Sequence, residues 1–341
     1  MKYYWDDIIG HSKSIAQLEK DILNNNLAHA YLFAGPAEVG KYAVAKKFAN
    51  ILICEKDYCR TCKDCIQFKN NLHPDVITVN KLWIDKVNDN LEKIALSSNF
   101  NQIHRAKKKA KTDIISIDDI RSFSQKLYEK KQSKYKICLI KNLERLQPVG
   151  ANALLKILEE PPEGTIFILT SSYPEKVLKT ILSRVRKVSF SNVADQVILE
   201  KLQTQTDAEN LSEIVSIAQG RPPIAVKLLK NYSLFEKEKN RFHQIAGILS
   251  KPEIKNDFLF IEKIIEDQAE IERFLAALTR FIRTLLLEKS KQSEGGLSQK
   301  ISYENLIKIQ ERAQETQKML KQNVNKRLLL ENLILDLKDL A

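Results

Sequence analysis

At 341 residues, with 43% hydrophobic and 29% charged side chains, the chain is long enough for two or three domains with sizeable cores and too apolar for a disordered protein. No uncharged apolar stretch reaches the roughly 18 residues of a membrane span. Met1 to Gly10 carries two Asp and no apolar signal core, so a cytoplasmic protein is expected. The formal charge is +12, and 9 glycines stand where an average usage of about 7% would give about 24.

The basic excess is concentrated, since residues 101–150 hold 13 Lys and Arg against 5 Asp and Glu. The run Lys107-Lys108-Lys109 with Lys111 has the charge to meet phosphates, although a solvated loop is the plainer reading of such a run.

In chain order, Ile15, Leu18 and Ile22 mark a helix over 12–25. Ala30 to Ala34 reads as a buried strand, Tyr42 to Ile53 as a helix, and Asp75 to Val79 as a second strand. Residues 81–112 lack periodicity and suggest an insertion. Asp118 and Asp119 open a helix that runs to about Lys130. Tyr135 to Ile140 and Thr165 to Leu169 are strands, separated by a helix with Ala151, Leu154, Leu155 and Leu158 in one stripe and stopped by Pro161-Pro162. A helix over 174–183 and a strand over 187–190 complete an alternating pattern, which predicts a parallel sheet covered on both faces. Beyond Asn192 only helices are expected, at about 193–205, 209–218 and 223–230 and then longer ones, with a loop at 290–298. The expected architecture is α/β plus all-α: an α/β domain, a small helical domain and a helical bundle.

Gly35-Pro36-Ala37-Glu38-Val39-Gly40-Lys41 matches the phosphate-loop pattern and falls between a strand and a helix, where backbone N–H groups and the helix N-terminus can surround phosphates. Its metal-binding partners are missing. Tyr42 stands where a Ser or Thr hydroxyl holds Mg²⁺, and Lys141-Asn142 follows Ile140 where two acidic residues belong. A cation there disfavours Mg²⁺, so the hydrolytic site reads as dead. Lys41 is then a surface lysine on an inherited loop, or part of a metal-free nucleotide site.

Cys54, Cys59, Cys62 and Cys65 lie within twelve residues, and the two C-x-x-C steps point sulfurs at one tetrahedral centre. Four thiolates favour Zn²⁺ and leave no open position for catalysis, so the site reads as structural. His73, before Pro74, reads as a loop cap, and Cys138 as a buried strand residue.

These residues carry a resemblance. Asp7-Ile8-Ile9-Gly10-His11, the stretch His29 to Gly35, the cysteines after the phosphate-loop helix, and Ala151-Asn152-Ala153-Leu154-Leu155-Lys156-Ile157-Leu158-Glu159-Glu160-Pro161-Pro162 together resemble the delta-prime family of bacterial DNA polymerase III clamp-loader subunits. That family is related to the gamma/tau subunits and to replication factor C. The resemblance implies a P-loop AAA+ parallel-sheet domain with a zinc module (1–191, cysteines at 54–65), a small helical lid domain (192–235) and a C-terminal helical collar bundle (236–341). Thr180-Ile181-Leu182-Ser183-Arg184-Val185 is similar to the family's Ser-Arg-Cys motif, with Val185 in place of Cys, and implies that Arg184 is an arginine finger acting in trans, with Arg186 the second candidate. A surface salt bridge is the alternative role for Arg184.

Thr170 and Ser171 fall where the superfamily senses the γ-phosphate, and Arg221 stands two residues before the expected second sensor at Pro223. The first cysteine spacing is shorter than the family's, which sets Cys54 apart. The resemblance implies a component of the DNA polymerase (nucleotidyltransferase) holoenzyme without ATPase of its own, in a heteropentamer with gamma/tau and delta, which places a sliding clamp on primed DNA. It implies structural Zn²⁺, no productively bound ATP and no Mg²⁺. An active gamma/tau-type ATPase and a zinc-containing DNA-binding module are the competing readings.

Overall fold

The computed structural model describes residues 5–56, 58–79, 114, 115, 117–250, 254–290, 296–320, 322 and 324–341. Lys107, Lys108, Lys109, Lys111 and the segment 81–112 lie outside them. Two compact units emerge, Met1–Thr206 with Gly220–Ile224, and Asp207–Gln219 with Ala225–Ala341.

The first unit is built on five strands: β1 (Ala30–Ala34), β2 (Val76–Val79), β3 (Lys136–Ile140), β4 (Thr165–Ser171) and β5 (Arg186–Ser189). They are all parallel, in the order β2-β3-β4-β1-β5. Every residue of β1 to β4 is buried, which explains why these strands read as continuous apolar runs. The period of two sends Leu32 and Ala34 into one core with Phe123, Leu154 and Phe167. It sends Tyr31 and Phe33 into the opposite core with Phe48, Ile137 and Ile168.

β5 is an edge strand that exposes Lys187 and Ser189. Helix α1 (Ser12–Leu23) lies along it, with the Ser14 hydroxyl donating to the Ser189 carbonyl at 2.6 Å.

Helix α2 (Lys41–Ile53) follows β1 and buries ten of its thirteen residues. A short helix that the sequence reading did not foresee, α3 (Lys63–Lys69), is capped by Cys62, whose sulfur accepts from the Cys65 amide. Helices α4 (Ile117–Leu127) and α5 (Pro148–Glu159) cover the first core. The continuous helix expected over 174–183 does not form. The segment is a 3-10 turn, Pro174–Lys176, then the single turn α6 (Lys179–Leu182), because Val177 and Leu178 adopt extended backbone and Val177 turns into the core. Helix α7 (Asp195–Gln203) closes the main run of this unit.

The second unit is helical: α8 (Leu211–Ala218), the continuation of α9 (Pro222–Lys230), α10 (Tyr232–Ser250), α11 (Lys255–Ile264), α12 (Gln268–Ser290), α13 (Leu297–Lys300), α14 (Tyr303–Met319) and α15 (Lys326–Leu340). Ile271, Phe274, Leu278 and Ile282 of α12 lie at helical spacing in one core with Leu306, Ile309, Leu333 and Leu337. Half-buried ion pairs tie its flank together, with Glu238 accepting from Arg241 and from Arg280. Among the described residues no helix is long and apolar enough to cross a membrane.

Candidate functional site

The loop 35–40 leaves the carboxyl end of β1, the edge of an open parallel sheet where ligands settle. Gly35 has φ +154° and an added Cβ would come within 2.2 Å of the Phe190 carbonyl; Gly40 has φ +112°. Glu38 also takes positive φ. His11 secures the loop from outside, its Nε2 donating to Val39 O at 2.7 Å. Burial pushes the His11 pKa down, which favours the neutral ring.

Lys41 is not the surface lysine that was expected. It is 5% exposed, and its ammonium donates to the carbonyls of Gly35 (2.7 Å) and Pro36 (2.5 Å) and to Ser172 Oγ (3.2 Å). Burial pushes its pKa down to about 8; Glu144 opposes this shift and Lys141 adds to it.

Lys141 Nζ stands 5.1 Å from the ring centroid of Tyr42, so the two departures from the phosphate-loop pattern meet as a cation–π pair. Asn142, in left-handed backbone, donates its amide to Thr170 Oγ1 at 3.1 Å, and Ser171 Oγ accepts from the Tyr173 amide. A hard divalent ion needs a ring of oxygen donors. An ammonium and an aromatic face are not oxygen donors, so Tyr42 and Lys141 do not fit Mg²⁺.

Two residues that the sequence reading missed complete the site. Ser172, one step past β4, bonds Lys41, and Glu144 Oε1 accepts from the Ser172 amide at 3.2 Å. Their only sequence signal is position, just beyond strands that end at the same edge. Arg221 also reaches the loop, 3.9 Å from Glu38 Oε2, despite its two-residue offset.

Arg184 follows α6. Its Nη1 donates to Thr180 O (2.9 Å) and Ser183 Oγ (3.1 Å), and its Nη2 pairs with Glu159 Oε1 at 2.8 Å. Arg186 is committed elsewhere: Nη1 pairs with Asp21 Oδ1 at 2.9 Å and donates to Asn26 O, while Asp21 Oδ2 accepts from the Tyr31 hydroxyl. Burial, first of all, pushes the Tyr31 hydroxyl up to about 12.

At the far end of α2 the four cysteines converge. Cys54 Sγ lies 3.8 Å from Cys59 Sγ and 3.7 Å from Cys62 Sγ, and all four sulfurs lie within 4.8 Å of one another. Metal–sulfur bonds of about 2.3 Å in a tetrahedron give sulfur–sulfur edges of about 3.8 Å, so the cluster fits such an ion and Cys54 belongs to it. The amides of Cys59, Cys62 and Cys65 donate to the sulfurs of Cys54, Cys59 and Cys62.

Backbone donors, Thr61 first, pull the Cys59 thiol down to about 6, whereas burial pushes Cys62 and Cys65 up. Left-handed Tyr58 and Arg60 make the turns. Lys47 of α2 holds this module, donating to Tyr58 Oη at 2.8 Å and pairing with Asp7. His73 lies outside the cluster: its Nδ1 accepts from the Asp75 amide and its Nε2 is 3.5 Å from Asp64. Cys138 is a buried strand residue, as expected.

Residues 10–194 match the family model described as DNA polymerase III, delta subunit. Among curated proteins, DNA polymerase III subunit tau of Bacillus subtilis (strain 168) is 30% identical over 237 residues, 66% of this chain and 37% of that protein. Subunit gamma of Buchnera aphidicola subsp. Acyrthosiphon pisum is 26% identical over 82% of this chain and 76% of its own length. Subunit delta' of Bacillus subtilis is 24% identical over 63% of this chain and 57% of its own. The chain thus spans little more than a third of that tau subunit.

Proposed function

This chain belongs to the DNA polymerase III, delta subunit family, and on that premise we propose that it is a non-catalytic, delta-prime-type subunit of the clamp loader. The observation that carries this reading is the Lys141–Tyr42 pair, a fixed positive charge where a nucleotide hydrolase holds its divalent ion. With Lys41 bound to the loop's own carbonyls, the loop keeps its shape and serves as scaffold.

The chain's contribution to chemistry is Arg184, offered to the nucleotide of a neighbouring subunit, where a guanidinium stabilises charge on the transferring phosphoryl group. Cys54, Cys59, Cys62 and Cys65 would hold a structural Zn²⁺, which would tie the knuckle to the end of α2. In this reading residues 1–191 form the AAA+ domain, 192–235 a lid and 236–341 a collar. The collar joins gamma/tau and delta subunits in a cytoplasmic heteropentamer that sets a sliding clamp on primed DNA.

One observation favours a second reading, an active gamma/tau-type ATPase: the tau relative is 30% identical against 24% for delta'. Purified chain assayed for ATP hydrolysis with Mg²⁺ separates the two. We expect no turnover; motor-like hydrolysis that disappears in Lys41→Ala would replace the first reading with the second. In the reconstituted complex, Arg184→Ala should leave assembly intact by native mass spectrometry and lower DNA-stimulated hydrolysis.

A further inference from the structure

The guanidinium of Arg184 is held on two sides by groups of different charge. On one side Nη1 donates to neutral acceptors, Thr180 O at 2.9 Å and Ser183 Oγ at 3.1 Å. Ser183 Oγ itself donates to Thr180 O at 3.0 Å. These contacts come from α6 and the residue after it, and they orient the side chain without altering its net charge. On the other side Nη2 meets Glu159 Oε1 at 2.8 Å. Glu159 is the last residue of α5, and its carboxylate cancels the charge that Arg184 would present to an anion.

Both partners are open to solvent, with side chains 35% and 48% exposed. An exposed ion pair of this kind is weak. Phosphoryl oxygens offer the same guanidinium two-point, charge-assisted bonds. An anionic polyphosphate that approaches this surface therefore competes well against a single carboxylate, while the neutral acceptors on Nη1 keep the fork in place.

We propose that Glu159 is a positioning residue with an inhibitory sense: it holds Arg184 as a neutral pair in the unengaged subunit and releases it to the phosphates of a nucleotide bound by a neighbouring subunit. The pair sets a threshold, so that Arg184 acts when the neighbour's phosphates are brought fully up to it and stays silent in a loose assembly. This rests on the trans role proposed above for Arg184 and adds its regulation.

The test uses the reconstituted complex with Glu159→Gln, which keeps an acceptor and removes the charge, and with Glu159→Ala. Hydrolysis is measured with and without primed DNA and clamp. Both variants should raise the unstimulated rate about two- to fivefold, the range an exposed ion pair supports, and leave the stimulated rate within about twofold. The double variant Glu159→Gln with Arg184→Ala should show no rise over Arg184→Ala alone, since Glu159 acts only through that arginine. A merely structural Glu159 would lower both rates together. An unchanged or lower unstimulated rate overturns the proposal for Glu159 while Arg184→Ala still lowers hydrolysis. If Arg184→Ala has no effect, the trans role and this proposal fall together.

Discussion

The two ends of α2 have kept different things. At its N-terminus the phosphate loop has kept backbone shape: Gly35 and Gly40 hold their positive φ and Lys41 its place, while the residues that would hold a metal are replaced by Tyr42 and Lys141. At its C-terminus the knuckle has ligands: four sulfurs lie within 4.8 Å of one another, with Cys54 at 3.8 and 3.7 Å from Cys59 and Cys62, although the spacing is irregular and its turns use Tyr58 and Arg60 instead of glycine. Loop shape is encoded locally by glycines and does not depend on the residues that flank it at Tyr42 and Lys141. Ligand geometry is encoded by side chains and tolerates an unusual backbone.

The largest expected effect lies at the knuckle. Chelation, or Cys62→Ser, should remove one bound Zn²⁺ per chain by elemental analysis and lower the melting temperature by about 10 °C or more, because metal-binding energy is folding energy in so small a module. A chain that binds no metal, or melts identically without it, would show that both ends of α2 are relics.

The phosphate loop should respond to pH instead of metal. The folded pKa of Lys41 lies near 8 against an ordinary 10.5, so between those values the unfolded chain binds the proton more tightly. Wild type should therefore gain stability relative to Lys41→Met as pH rises from 7 to 10, by at most about 3 kcal/mol, in paired denaturant titrations. Parallel stability curves would show that Lys41 carries no buried charge.

Away from both ends, Arg186→Ala leaves Asp21 buried beside Tyr31 without its cation and should cost about 1–3 kcal/mol, with no effect on metal content. The smallest effect expected is a partial return of metal chemistry. The double variant Tyr42→Ser, Lys141→Asp should make nucleotide binding Mg²⁺-dependent by about tenfold, or 1.4 kcal/mol, in a fluorescent-nucleotide titration. Indifference to Mg²⁺ would mean that something other than this pair excludes the ion.

Much of the first unit is legible in the sequence, for a definite reason. Strands buried on both faces, such as Ala30–Ala34, leave uninterrupted apolar runs, and the glycines of the loop are visible as letters. The broken helix after Pro174 is not legible, because the competition was decided by Val177 turning into a core made of distant residues. Lys41's burial, and the parts played by Ser172 and Glu144, depend on three strands ending at one edge, a fact of topology that no local pattern contains. The closeness of Cys54 to the other sulfurs was obscured for the opposite reason: the first spacing suggested a misfit, yet with Tyr58 left-handed inside it the Cys54 sulfur still reaches those of Cys59 and Cys62.

The sheet order has a further consequence for synthesis. β1 has no neighbour close in sequence: Ala30 pairs with Phe167, and Tyr31 with Arg186. At about 5–20 residues per second, roughly seven to thirty seconds pass between the synthesis of β1 and that of its first partner, β4. The cysteine knuckle, by contrast, is complete within a dozen residues. The knuckle can thus close around any metal it captures before the sheet forms on the ribosome, and then wait beside an apolar segment, Ala30 to Ala34, that has no partner strand until β4 emerges.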